Sequence, residues 1–353
     1  MVKYSYKIKK TVIIMVAATF LLGGFVFVLP FSKADFVLGE DGISVVYSSS
    51  HTNGIMNESI TKGFWGNVSN EIKTIDNNIF SNYKKSLFVS PNRKYIAVTI
   101  DRYEGHDVRS YIIDIDGKML TDIYYGSFVA WSPNNDKILL FLSGIDNSDG
   151  RKIYYLSLDN DYLDSGLPEG VISADISPIN GDIIYSLTKK GTSESSLYIR
   201  SDGAVDELVL QGDKNIFAWV RWSSSGDKVA FLKSDLMISA RSREIWIMSS
   251  DGSDLKKISS VEWGYPPVWS PDNDKLLYGY FGNIWEYNAK NNYNKKLTGF
   301  SSGHARYPTY SSDGNIVVFT SNFSNQDQLW VIQNKNVMQI TSDGEEKTYP
   351  ILP

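Results

Sequence analysis

The chain has no cysteine in its 353 residues and only three histidines, His51, His106 and His304. No disulfide framework, thiolate metal site or thiol nucleophile is therefore available. None of the histidines has a second histidine three or four residues away, which excludes a helical zinc pair. The chain also lacks a Gly-x-Ser-x-Gly elbow, a Gly-x-x-x-x-Gly-Lys-Ser/Thr phosphate loop and a Gly-x-Gly-x-x-Gly fingerprint. Asp146-Asn-Ser-Asp-Gly150 looks at first like a calcium loop, but it lacks the alternating ligands and the distal Glu that such a loop needs. The sequence thus predicts no catalytic, cofactor or metal site, and the protein is expected not to be an enzyme.

Positive charge is scarce outside one segment. Met1–Ala34 holds five lysines and no acid, which leaves 30 basic against 40 acidic residues in the rest. An acidic body argues against nucleic acid as a partner. Lys3, Lys7, Lys9 and Lys10 precede an uncharged run from Thr11 to Leu29. Nineteen helical residues span about 28 Å, close to the thickness of a bilayer core. Two readings of this segment stay open. It is a signal-anchor helix that holds the protein in the membrane, or a signal peptide cleaved after Ala34 in Ser32-Lys33-Ala34. Basic residues ahead of such a run stay in the cytoplasm, so both readings export the body, 35–353. It would then lie outside the cytoplasm, membrane-anchored, or secreted or periplasmic after cleavage.

What is abundant is aromatic residues (22 Tyr, 16 Phe, 9 Trp), and they fall in a repeat. One phrase returns six times: Phe88-Val-Ser-Pro-Asn-Arg, Trp131-Ser-Pro-Asn-Asn-Asp, Ile176-Ser-Pro-Ile-Asn-Gly, Trp222-Ser-Ser-Ser-Gly-Asp, Trp269-Ser-Pro-Asp-Asn-Asp and Tyr310-Ser-Ser-Asp-Gly-Asn. The shared serines, 90, 132, 177, 223, 270 and 311, are spaced by 42, 45, 46, 47 and 41 residues. A fixed period of this length marks a repeat architecture. Ser at the first position, Pro at the second and Asp or Asn next suit a type I turn. Each turn leads into an apolar run of strand length, such as Ile138-Leu-Leu-Phe-Leu or Ile316-Val-Val-Phe-Thr. A third apolar run and a short edge strand follow. Four strands in each period describe a propeller blade. The repeated tryptophans at 131, 222, 269, 246, 285 and 330 then read as packing between blades.

The phrase resembles the TolB-type, WD40-like propeller repeat, which also builds the propellers of dipeptidyl-peptidase-like and prolyl-oligopeptidase-like proteins. The likeness runs from about Leu87 to the C-terminus. It implies an all-β propeller that acts as a protein- or peptide-binding scaffold in the cell envelope. Oligogalacturonate-lyase-like enzymes also look like propellers with this repeat, and they imply the alternative of an enzyme with its site in the axial channel.

A ring needs closure, because an open end leaves an unpaired strand edge. Thr348-Tyr-Pro-Ile-Leu-Pro resembles Arg306-Tyr-Pro-Thr-Tyr-Ser, an innermost strand, and Asp41-Gly-Ile-Ser-Val-Val-Tyr resembles Asp313-Gly-Asn-Ile-Val-Val-Phe, a second strand. The expectation is a seven-bladed β-propeller closed by both termini, preceded by one N-terminal transmembrane or signal helix. Thr52–Asn78 shows no clean third strand, so six blades with an N-terminal extension are the alternative. Tyr265, Tyr307 and Tyr349 each precede a proline at the start of an innermost strand. Together with His304 and Arg306 they are the candidate binding residues, expected around one axial face where a protein or peptide would dock.

Overall fold

The computed structural model describes residues 43–49, 55–62, 68–76, 84–101, 108–116, 118–123, 126–134, 137–142, 152–159, 161–201, 205–235, 243–261, 265–342 and 346–352. Strands make up all the regular structure among them. The described chain opens with β1 (Ile43–Ser49), β2 (Ile55–Lys62) and β3 (Val68–Asp76). Six blades of four antiparallel strands follow, each contiguous in sequence. The first contains β4 (Lys84–Val89), β5 (Tyr95–Asp101), β6 (Val108–Asp114) and β7 (Met119–Ile123). Next come β8 (Gly126–Trp131), β9 (Lys137–Leu142), β10 (Lys152–Ser157) and β11 (Tyr162–Asp164). The third blade holds β12 (Val171–Ile176), β13 (Ile183–Thr188), β14 (Ser195–Arg200) and β15 (Glu207–Leu210). The fourth holds β16 (Asn215–Trp222), β17 (Lys228–Asp235), β18 (Arg243–Ser249) and β19 (Lys256–Val261). The fifth is β20 (Val268–Trp269), β21 (Lys275–Tyr280), β22 (Asn283–Asn288) and β23 (Tyr293–Lys296). The sixth is β24 (Ala305–Tyr310), β25 (Ile316–Ser321), β26 (Gln328–Gln333) and β27 (Asn336–Gln339). The last strand, β28 (Lys347–Ile351), pairs back onto β1 and completes a sheet of order β28-β1-β2-β3.

Two parts of the expected architecture are corrected. The ring is not seven equivalent blades. It has six blades of the repeat, each built on one serine turn, and the remaining sheet is a junction of another kind. That sheet draws β28 from one end of the described chain and β1–β3 from the other, and its β1–β28 pairing shifts register between Val46 and Ser48. Its outer strands read Ile-Met-Asn-Glu-Ser-Ile-Thr-Lys and Val-Ser-Asn-Glu-Ile-Lys-Thr-Ile-Asp, too polar to stand out as apolar runs. The second correction concerns the N-terminal helix. No helix is present among the described residues, and none there is long and apolar enough to cross a membrane. Met1–Ala34, where the sequence places that helix, lies outside the described residues.

The serine phrase folds as a tight hairpin turn. The Arg93 N–H donates to Ser90 O at 2.8 Å, and the Asn273 N–H to Ser270 O at 3.0 Å, the bond that closes a β-turn. The residue at that fourth position is left-handed: Arg93 and Asn273 have φ of 60° and 62°, and Gly226 and Gly314 fill the same place with φ of 70° and 72°. The serine N–H donates to the carbonyl five residues on, Ser270 to Lys275 O at 2.9 Å, which leaves a four-residue hairpin loop built around the turn. The serine hydroxyl then accepts from the backbone N–H five residues on, Lys228 to Ser223 at 3.1 Å and Lys275 to Ser270 at 3.0 Å. Ser90 and Ser132 accept the same bond from Tyr95 and Lys137, and these four serines are buried, so the hydroxyl satisfies an amide at the base of the turn.

Apolar faces of neighbouring sheets meet in clusters between blades. Trp131 packs with Ala97, Ile112, Ile138 and Leu156 from the first two blades. Its indole N–H donates to Phe88 O of the preceding blade at 3.2 Å, and Trp269 repeats the bond to Arg221 O at 3.2 Å. In these two blades the tryptophan before the turn is thus a wedge that ties the blade to the one before. The junction sheet is held on both sides. Val45 and Tyr47 pack with Val318, Leu329 and Val331 of the sixth blade, and Ile351 packs with Leu87, Ile96 and Val98 of the first.

Candidate functional site

Each sheet gives its innermost strand, or the segment leading into it, to one central cavity of about 750 Å³. The lining comes from β4, β8, β12, β16, β24 and β28, and from Tyr265–Trp269 at β20. The turn serines set a common register for these residues. Four positions ahead of the turn stand Ser86, Phe128, Ser173, Trp219, Pro266 and Tyr307, and Tyr349 matches Tyr307 through the shared Tyr-Pro pair. All seven line the cavity.

The backbone aims three of them by the same device. Trp219, Tyr307 and Tyr349 have φ of 49°, 53° and 52°, in the left-handed region that non-glycine residues rarely adopt. Each sits at a register shift: between Ala218 and Arg221 on β16, between Arg306 and Thr309 on β24, and opposite Val46–Ser48 on β28. A bulge of this kind bends the strand and redirects a side chain. The two tyrosines stack, with ring centroids 3.9 Å apart and planes inclined by 29°. Tyr265 meets Tyr307 edge to face at 4.9 Å. Burial and the neighbouring tyrosines push the Tyr307 hydroxyl well above the usual phenol range, so it stays protonated.

Of the five residues picked from the sequence, the structure brings Tyr265, Tyr307 and Tyr349 together on the cavity wall. His304 and Arg306 do not line the cavity, although the Arg306 guanidinium lies beside the Tyr307 ring, 6.0 Å from its centroid. His304 is exposed and borders a crevice of about 10 Å³ shared with Tyr265 and Phe281. Its backbone N–H donates to Asn322 Oδ1 at 2.6 Å. Arg306 turns into the blade, where its Nη2 donates to both carboxylate oxygens of Asp327, 2.6 Å to Oδ2. That makes it a structural ion pair. His51, His106 and Asp146–Gly150 lie outside the described residues. Among the described residues no group of three or more His, Asp or Glu side chains is placed to hold a metal ion.

The cavity also holds residues that inspection of the sequence missed. Trp219, Phe88 and Phe128 extend the aromatic wall, and Pro267, Pro308 and Pro350 flank the tyrosines. Among the described residues, Arg221 is the one charged residue of the lining. Beside it stands Asp175, on the innermost strand of the preceding blade. Protein surrounds the Asp175 carboxyl although a water-sized probe still reaches part of the residue. Desolvation raises its pKa to about 6, opposed by the Arg221 charge and by the Trp222 N–H, which donates to Asp175 Oδ2 at 2.8 Å. Ser173 does similar work one step along, accepting from the Val220 N–H at 3.1 Å. Side chains of β12 thus occupy inward-facing amides of β16. Counting back from each turn serine would have exposed the lining, since it recurs at one phase of the repeat.

The fold and cavity define a β-propeller with its candidate site on the axis. No family model matches the chain, and no curated protein matches it. Among solved structures it is similar to TolB from Acinetobacter baumannii, at 15% identity and a TM-score of 0.53, over 88% of this chain and 67% of that one. It is similar to the propeller domain of the Trilobed protease from Pyrococcus furiosus, at 14% identity and a TM-score of 0.58, over 87% of this chain and 96% of that one. An oligogalacturonate lyase in complex with manganese matches at 10% identity and a TM-score of 0.54, over 82% of this chain and 96% of that one. The resemblance read from the serine phrase therefore holds at the level of the fold.

Proposed function

We propose that this protein is a non-catalytic propeller scaffold that captures a protein partner through a peptide segment held against the aromatic wall of its axial cavity. The observation that carries the reading is the convergence of all the innermost strands on one cavity whose wall is aromatic, proline and serine. Tyrosine and tryptophan supply large contact area with a polar tip, and such residues dominate binding energy at interfaces. Among the described residues, no histidine, lysine or carboxylate stands in the lining to move a proton. Likeness to TolB is consistent with a binding role, and the lysine-led apolar run of residues 1–34 supports a body outside the cytoplasm.

The test is capture of partners from the protein's own cell envelope by the wild type and by a Tyr265→Ala, Tyr307→Ala, Tyr349→Ala variant. The variant is expected to lose the partner while keeping a cooperative melting transition. Equal capture by a folded variant would overturn the reading.

A further inference from the structure

We propose that the axial cavity is built for the free C-terminal end of an apolar peptide, with the Arg221 guanidinium as the anchor for its carboxylate. The proposal rests on the reading of the cavity as a binding site and names what enters it. A volume of about 750 Å³ lies within the roughly 300–1,000 Å³ of small-ligand sites, so a chain end fits where a folded partner does not. The wall offers Phe88, Phe128, Trp219 and three tyrosines to apolar and proline side chains, and among the described residues a single fixed charge. One guanidinium matches the one carboxylate that a chain end brings. Arginine presents a planar fork that suits a carboxylate in two-point contact.

Asp175 gives this anchor a control. Its ionised carboxylate acts on Arg221 and lowers the positive charge felt in the cavity. Among the described residues of the strands packed against β12, β8 carries no titratable group, β16 carries Arg221 alone, and β13 carries only Tyr185. The Tyr185 hydroxyl is engaged with Asp206. Protonation of Asp175 therefore frees Arg221 for an incoming carboxylate, and by linkage such a ligand favours protonated Asp175.

Calorimetric titration of the full chain with N-acetyl-Ala-Pro-Tyr, as free acid and as C-terminal amide, tests this. The acid is expected to bind at least ten-fold tighter than the amide, and tighter at pH 5.5 than at pH 7.5. Arg221→Gln should erase the acid's advantage and leave amide binding unchanged, and Arg221→Lys should keep part of it. Asp175→Asn retains an oxygen acceptor for the Trp222 N–H, and it should tighten acid binding several-fold at pH 7.5 and flatten the pH dependence. If acid and amide bind alike, the carboxylate anchor is wrong while the cavity reading stands. If N-acetyl-Glu-Pro-Tyr amide binds as well as the acid, the chain-end assignment is wrong. If no form binds, both this proposal and the cavity reading fall.

Discussion

The Lys347 ammonium lies over the ring of Tyr47, 5.6 Å from its centroid, joining β28 to β1 across the junction of the two ends of the described chain. Both side chains are buried, at 1% exposure each. Lys347 also donates its backbone N–H to Asp327 O at 2.7 Å, and Asp327 holds Arg306. The two ends of the junction sheet are thereby joined by a cation over an aromatic face, and the sheet is bound to the sixth blade by the Lys347 N–H and by apolar packing. Desolvated pairs of that kind contribute about 2 kcal/mol.

Lys347→Ala is expected to cost about 2–4 kcal/mol, since it removes a fully buried stem together with the cation. Chemical denaturation measures it. A loss below about 0.5 kcal/mol would show that the ring does not depend on this contact.

The wedge tryptophans differ from one another in a measurable way. The Trp131 indole N–H has a carbonyl partner, whereas the buried Trp222 Nε1 has none. Trp131→Phe should therefore cost about 1 kcal/mol more than Trp222→Phe, the value of one ordinary hydrogen bond. Equal costs in paired denaturation curves would refute the distinction.

Much of this organisation was open to inspection before any coordinates. The serine turn, the strand after it and the tryptophan wedge recur at a fixed phase, so repetition itself made them legible. β2 and β3 were hidden because outer strands need no continuous apolar run. The positions of Arg306 and His304 were hidden for a different reason. Both lie close in sequence to Tyr307, but a strand alternates its faces, and the bulge at Tyr307 breaks even that alternation. No local signal tells which neighbour turns into the blade. Arg221 went unnoticed because its importance comes from being the one charge on a wall assembled from distant segments.

Backbone strain at the bulges predicts a specific ordering. A non-glycine residue in the left-handed region costs about 1–2 kcal/mol. Tyr307, at φ 53°, should therefore give a Tyr307→Gly protein about 1 kcal/mol more stable than Tyr307→Ala. Thermal melts of the two variants decide it, and the reverse order would mean the bulge relaxes when the ring is lost.

The elevated Asp175 pKa has a signed effect on stability. Folding raises it from 3.8 to about 6, so between those values the folded chain binds a proton that the unfolded chain has released. Stability contributed by this group is full below about pH 4 and is lost as pH rises through about 6. Asp175→Asn should remove that decline, gaining about 3 kcal/mol near pH 7 with little change near pH 4. Unfolding curves at both values check it, and a gain at pH 4 equal to that at pH 7 would exclude the titration.

The turn serine has a graded cost as well. Ser270 is buried and accepts the Lys275 amide, so Ser270→Ala strands that donor and should cost about 1–3 kcal/mol. Ser311, with partial exposure, should lose less when replaced, because solvent can take over from its hydroxyl. Equal losses would argue against that difference.

Because every sector hands one side chain inward from the same backbone station, the central chamber is specified by a short set of positions largely separate from those that fill the inter-blade layers. Exchanging an aromatic, a serine or the lone arginine at such a station would retune what the chamber accepts while the surrounding torus keeps its packing. A scaffold of this form can diversify its guests without redesigning its frame.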